Sequence, residues 1–311
     1  MLRKRPCDKE ASARSGVFTS PRADEIPIKW DNMESVGVLT DKWPLSLALV
    51  AVSALVQPAL GDQPPLPPLP AGPGFAQLPV PGFLPAVVAW PVAASADVKP
   101  ARTLPVVVAT HGSFDQPEWN CEVFQQVVRG SAVIVCPRGR VRWDTPAEPR
   151  LMRFYFPSTG GWLGREVEAA RKALSDAAQS RVAEGPIVYA GFSQGAIMGA
   201  PLAISAPKRF PRLLLVEGGH DAWSSGSAQV YAKGGGKRVL FACGRASCFS
   251  SAQQAAAHLL RAGVAARVVY SADQGHTYDG GVQKEMTAAF GWLVEDDPRF
   301  AASAEQAAAT P

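Results

Sequence analysis

From about residue 85 onwards the chain alternates between short apolar runs and longer segments with a helical pattern of apolar positions. The short runs predict strands at 86–91, 105–110, 132–136, 187–190, 212–217, 238–243 and 266–270. Several of them ("PVVVAT", "AVIVC", "LLLVE", "RVLFAC") are almost continuously apolar, as parallel strands covered on both faces are. Helices are predicted between them at 117–129, 164–183, 194–205, 252–262 and 281–294. Repeated strand–helix alternation predicts an α/β fold, a doubly wound and mostly parallel sheet with helices on both faces. Such sheets bind ligands at the carboxyl ends of their strands, so the residues that follow each run are the ones to inspect for chemistry.

Upstream the pattern changes. No charge occurs from Trp43 to Gly61, and residues 45–56, "LSLALVAVSALV", form a continuous apolar block preceded by Lys42. A block of twelve residues, ten apolar and two serines, suits the core of a signal peptide, whereas a spanning helix needs about 20. Ala59 and Gly61 follow at cleavage spacing, so a mature chain beginning near Asp62 is expected in a secreted, periplasmic or cell-surface location, without a stable membrane span. A membrane anchor or buried helix is the alternative, and Met1 and Met33 both stand as candidate starts. Next comes "DQPPLPPLPAGPG", whose six prolines between Pro64 and Pro73 read as an extended, polyproline-like spacer. The expected organisation is a leader over 1–61, a Pro-rich spacer over 62–85, one α/β domain over 86–297 and a flexible tail over 298–311.

Composition narrows the partners. The chain has 311 residues, 47% of them hydrophobic, which is ordinary for a globular protein with a real core. Of 31 basic and 27 acidic residues, 8 and 7 lie in the leader, leaving 23 against 20 in the rest. That balance is no nucleic-acid footprint. There is no internal repeat and no Cys/His spacing of metal-site type, so no metal is expected. With Cys7 set aside in the leader, Cys121, Cys136, Cys243 and Cys248 remain, an even number that suits two disulfides in an exported domain. Of the three connectivities, the local pairs Cys121–Cys136 and Cys243–Cys248 are expected; four buried thiols are the alternative.

One stretch carries chemistry outright. In "VYAGFSQGAIMG", Gly191 and Gly195 flank Ser193 at minus two and plus two, after an apolar run and before a helical one. G-x-S-x-G in a strand–turn–helix context is the sharp turn that exposes a nucleophilic serine. The alternative is a small-residue turn with a surface serine. Acyl transfer also needs a base and a pair of donors for the oxyanion, and there are only four histidines. His276 follows the last predicted strand, comes after the serine in chain order and is preceded by Gly275, which makes it the candidate base rather than a solvated loop residue. His258 lies in a helical segment, as a surface or packing residue; His220 sits at a strand end without a clear role. His111 opens "THGSFD" directly after the strand 105–110, where it is expected to hydrogen-bond the loop. The oxyanion donors are assigned to the backbone amides of Gln194 and Ser113, with Gly112 permitting the turn.

With Ser193, His276 and His111-Gly112 in place, the chain resembles the α/β-hydrolase superfamily over about residues 105–294. Its "HG", "GFSQG" and "GH" motifs, in that order, are most similar to the phospholipase/carboxylesterase branch, including acyl-protein-thioesterase-like enzymes; secreted depolymerase-like esterases are also similar. The resemblance implies hydrolysis of a small acyl ester or thioester without cofactor or metal. One departure stands out. The family carries its acid as G-x-x-D after the penultimate strand, where this chain has "FACGRASCFSS", and no carboxylate occurs between Val239 and Arg267. Glu217 is the first candidate for a displaced acid, because it closes the apolar run "RLLLV" at the active-site edge; Asp221 and Asp273 are the alternatives. The missing family acid also leaves open a catalytically inactive fold that serves as a binding module. A peptidase or polyester depolymerase remains a further option, since fold does not choose substrate. Residues 138–162, rich in Arg and aromatics, are either part of the pocket mouth or a surface excursion packed on the sheet.

Overall fold

The computed structural model of the chain describes residues 66–71, 74–91 and 103–300, all within the unit Ala59–Pro311. Its strands are β1 (Phe75–Leu78), β2 (Ala86–Ala89), β3 (Val106–Thr110), β4 (Val133–Cys136), β5 (Arg140–Val141), β6 (Phe154–Tyr155), β7 (Val188–Phe192), β8 (Arg212–Val216), β9 (Arg238–Cys243) and β10 (Ala265–Tyr270). The helices are α1 (Pro117–Val128), α2 (Trp162–Ala178), α3 (Gln194–Ser205), α4 (Ser225–Lys233), α5 (Ala246–Arg261) and α6 (Gly280–Val294). Eight strands form one sheet in the order β1-β2-β4-β3-β7-β8-β9-β10, while β5 and β6 form a separate hairpin. β2 runs antiparallel to both of its neighbours, and from β4 to β10 every pairing is parallel.

The continuous apolar runs are explained by burial on both faces. Val106, Val108, Leu213 and Leu215 point into a core shared with α2, α3, α4 and α5. The alternate residues Val107, Ala109, Leu214 and Val216 enter a second core under α1 and α6. Period-two alternation therefore serves two apolar layers rather than one. The chain leaves β3 through α1 on one face towards β4, then crosses through α2 on the other face to β7 on the opposite side of β3. This reversal makes the carboxyl ends of β3 and β7 a topological switch point, the place where open α/β sheets generally bind ligands.

The expected strands from β2 to β10 are all present. Six elements differ from expectation: the two strands of the β5–β6 hairpin, which fall in the stretch 138–162 where no strand is expected, and four others. β1 lies inside the stretch read as spacer: it holds only one buried residue, Leu78, and depends on its pairing with β2. α4 occupies a Ser- and Gly-rich stretch with no strong apolar stripe; it is opened by a capping box between Ser224 and Ser227 and anchored by Ala228 and Tyr231. α5 begins six residues before the expected 252, and α2 covers Trp162–Ala178 rather than 164–183, because Val182 turns into an extended conformation. At the far end Phe300 is buried against Phe290 (ring centroids 6.0 Å apart), so the first residues of the expected tail pack on the domain. The leader, the 45–56 block, Cys7, Met33, the cleavage site and residues 301–311 lie outside the described residues.

The cysteines pair as expected. Cys121 on α1 meets Cys136 at the end of β4 with Cα atoms 5.9 Å apart, and Cys243 at the end of β9 meets Cys248 in α5 at 5.6 Å. Both separations suit disulfides, which are compatible with an extracellular protein. Among the described residues no helix is long and apolar enough to cross a membrane.

Candidate active site

The switch point is built around Ser193. It follows β7 with φ 48° and ψ −113°, a strained conformation for a residue with a side chain. Its N–H donates to the Val216 carbonyl at 2.9 Å, and its own carbonyl receives the Ile197 N–H at 2.8 Å to start α3. The two flanking glycines are a steric necessity. A Cβ on Gly191 would meet the Ala196 nitrogen at 2.7 Å, and one on Gly195 would meet the His111 carbonyl oxygen at 2.8 Å.

His276, on the loop between β10 and α6, brings Nε2 to 2.8 Å from Ser193 Oγ and Nδ1 to 3.0 Å from Glu217 Oε2. Glu217 sits just past β8 at φ 51°, with its side chain fully buried. Its Oε1 accepts the Gly244 and Arg245 amides at 2.7 and 3.0 Å, and its Oε2 accepts Arg245 Nε at 2.6 Å. Burial alone raises the pKa of this carboxyl; the hydrogen bonds from His276, the two amides and the guanidinium outweigh it and hold the value at about 2. Glu217 is thus an acceptor only, which requires the proton of a neutral His276 on Nδ1 and leaves the Nε2 lone pair facing the serine hydroxyl. The depressed pKa adds stability that is present above the ordinary carboxyl value and is lost as pH falls towards 2.

The other two acid candidates are elsewhere. Asp221 is largely exposed and bonds His220 Nδ1 at 2.9 Å, and Asp273 is exposed at a left-handed turn (φ 61°). His258 lies on α5, within hydrogen-bond distance of Ser225 and Arg261. His111 is buried beneath the turn after β3, its ring nitrogens 2.7 Å from the Gly112 carbonyl and 2.9 Å from that of Arg138. A Cβ on Gly112 would approach Ser193 Cβ to 3.2 Å, so this turn abuts the serine directly. Among the described residues, neither the Ser113 nor the Gln194 backbone N–H is taken up by a turn or loop hydrogen bond.

Residues 138–162 are in part packed on the domain and in part exposed. Phe154 and Phe156 are buried and His111 stacks on Phe156 (4.6 Å), while Trp143 is 90% exposed. The segment is tied to the serine turn by contacts that no sequence motif announces. Gln194 accepts the Phe156 N–H at 2.9 Å and donates to its carbonyl at 3.1 Å. Arg142 donates to Ser113 Oγ at 2.9 Å and stacks on Phe114. Glu166, whose carboxyl burial pushes up, accepts the Arg138 and Gly139 amides at 3.0 and 2.7 Å where the segment begins.

No protein-family model matches the chain, and no curated protein matches it either. Solved structures do. The thermophilic carboxylesterase EstE1, cloned from a metagenomic library, superposes with a TM-score of 0.50 at 17% identity, over 75% of this chain and 90% of that one. A hyperthermophilic esterase from the archaeon Pyrobaculum calidifontis gives 0.48 at 18% identity, over 71% and 84%. Esterase PE8 gives 0.47 at 16% identity, over 70% and 100%. At such identities the likeness is one of fold. Together with the strand order, it gives this chain the α/β-hydrolase fold.

Proposed function

We propose that the protein is a serine hydrolase that cleaves carboxylic esters or thioesters through an acyl-enzyme on Ser193, in the manner of phospholipase/carboxylesterase-type enzymes. The observation that carries this reading is the unbroken chain Ser193 Oγ–His276–Glu217, with contacts of 2.8 and 3.0 Å. Ser193 attacks the acyl carbonyl while His276 Nε2 takes its proton, and the same nitrogen then returns it to the leaving group. Glu217 stays ionised, holds the ring in the productive tautomer and stabilises the imidazolium that forms. The Gln194 and Ser113 amides, both uncommitted and both beside the serine, donate to the oxyanion. Water then releases the acyl group. No step calls on a cofactor. The inactive binding-module reading rested on the missing family acid, and a carboxylate bonded to His276 from β8 removes that ground.

The deciding experiment is covalent labelling. A fluorophosphonate probe is expected to modify the purified protein at Ser193, read by peptide mass spectrometry, and Ser193→Ala is expected to take up none. A folded wild-type sample that resists the probe overturns the reading in favour of a binding module.

Export is proposed on the strength of the apolar block at 45–56 and the two cysteine pairs. The mature N-terminus is expected near Asp62, with Cys121, Cys136, Cys243 and Cys248 all oxidised. N-terminal sequencing and thiol titration check this; an intact leader with free thiols in the cytoplasm refutes it.

A further inference from the structure

Arg245 stands in the loop where the family pattern led us to expect the acid, and it is turned to a different use there. It caps the amino end of α5 without a side-chain bond of its own to that helix. Instead its backbone N–H and its guanidinium reach the two oxygens of Glu217, at 3.0 Å to Oε1 and 2.6 Å to Oε2. With the Gly244 amide at 2.7 Å, three of the four hydrogen bonds to this buried carboxylate come from two consecutive residues. The fourth is His276 Nδ1, on the same oxygen as the guanidinium.

The loop that supplies those donors is bracketed by two cysteines at disulfide distance. Cys243 and Cys248 bracket Gly244 and Arg245 in a disulfide with a sequence separation of only 5, and the carboxylate and both sulfur positions lie within 4.8 Å of one another. Glu217 for its part leaves β8 at a left-handed φ, its N–H bonded to the Ala242 carbonyl at 3.0 Å, beside the start of the same loop. Backbone and disulfide thus set where the donors stand, and the donors set the direction of the carboxylate.

We propose that Arg245 is a positioning residue for catalysis: held by the Cys243–Cys248 loop, it fixes the Glu217 carboxylate in the orientation that receives His276. This rests on the acyl-enzyme reading of Ser193, His276 and Glu217. The guanidinium is one of the four hydrogen bonds that fix the direction of the Glu217 carboxylate and hold it ionised against its burial. The Arg245 side chain is 46% exposed, so its replacement removes little packing.

The test compares Arg245→Met and Arg245→Lys with wild type on a soluble p-nitrophenyl ester. Arg245→Met is expected to lower kcat by about 10–100-fold, the usual effect of losing a partner that orients an active-site ligand, with KM unchanged. Arg245→Lys, which restores a cation, is expected to recover most of the loss. A Cys243→Ala/Cys248→Ala variant is expected to lower kcat in the same manner, since the loop amides are then held less firmly. Turnover of Arg245→Met within threefold of wild type, or an equal loss in the Lys variant, overturns the proposal. Failure of the underlying reading looks different: the wild-type protein itself then neither hydrolyses the ester nor takes the fluorophosphonate.

Discussion

If Ser193, His276 and Glu217 act as proposed, His276→Ala is expected to lower kcat for a p-nitrophenyl ester by about 10⁶-fold, as loss of the base does in a serine protease. A serine hydroxyl at neutral pH is a poor nucleophile, and its attack depends on a base within hydrogen-bond reach. Here Nε2 of His276 stands 2.8 Å from Ser193 Oγ, and it is the titratable group bonded to that oxygen. The ring is 39% exposed and makes its main apolar contact with Phe192, whose ring lies 5.0 Å away, so replacement costs little folding energy. Circular dichroism should therefore be unchanged while turnover collapses. The residual rate should still exceed that of water by about 10³–10⁴-fold, supplied by the oxyanion donors and substrate binding. Labelling by a fluorophosphonate should fall in parallel with turnover. A variant that keeps more than about one per cent of wild-type kcat shows that another group takes the proton, because deleting the base of a serine hydrolase leaves far less than that.

Much of this site was legible in the sequence, for identifiable reasons. The central strands announce themselves because both faces are buried, which leaves no room for polar residues within β3, β4, β7 and β8 other than at their ends. Gly191 and Gly195 are dictated by contacts with the start of α3 and with the turn after β3, so a local motif reports a tertiary fact. Glu217 was readable as a charge that ends an apolar strand where no charge is needed for folding. The elements that were not legible are those chosen by their partners. β1 exists through its register with β2, from Phe75 opposite Ala89 to Leu78 opposite Ala86. The β5–β6 hairpin is held from outside its own sequence by Gln194, which bonds the Phe156 backbone, and by Ser113, which accepts from Arg142. The early start of α5 follows from the disulfide at Cys248 and the Glu217 carboxylate beside its first residues. A single sequence shows Arg245 only as a surface-type residue; its bond to Glu217 appears once β8 and β9 lie side by side.

The same neighbourhood sets the second large effect. Glu217→Gln is expected to lower kcat by about 10⁴-fold with the fold intact, the loss seen when a triad acid becomes its amide. The substitution preserves shape but reverses a donor. Gly244, Arg245 and His276 together present four N–H groups to the carboxylate, and an amide has only one oxygen to answer them. If that oxygen serves the loop amides, the new NH₂ faces both Arg245 Nε and His276 Nδ1. The imidazole relieves this by moving its proton to Nε2, where it donates to Ser193 and no longer serves as a base. The loss should fall on kcat, with KM nearly unchanged, because the substrate does not touch Glu217, whose side chain is fully buried. Since the wild-type carboxyl titrates at about 2, its charge is present throughout any ordinary assay range, and the loss in the variant should therefore be seen at neutral pH. Asp221→Asn and Asp273→Asn serve as controls and should change turnover little: one aspartate bonds His220, and both are exposed. Near-normal turnover in Glu217→Gln with a collapse in either control moves the acid to that residue. Near-normal turnover in all three leaves a Ser193–His276 pair that works without a carboxylate, and the buried cluster around Glu217 then serves only to join the ends of β8 and β9.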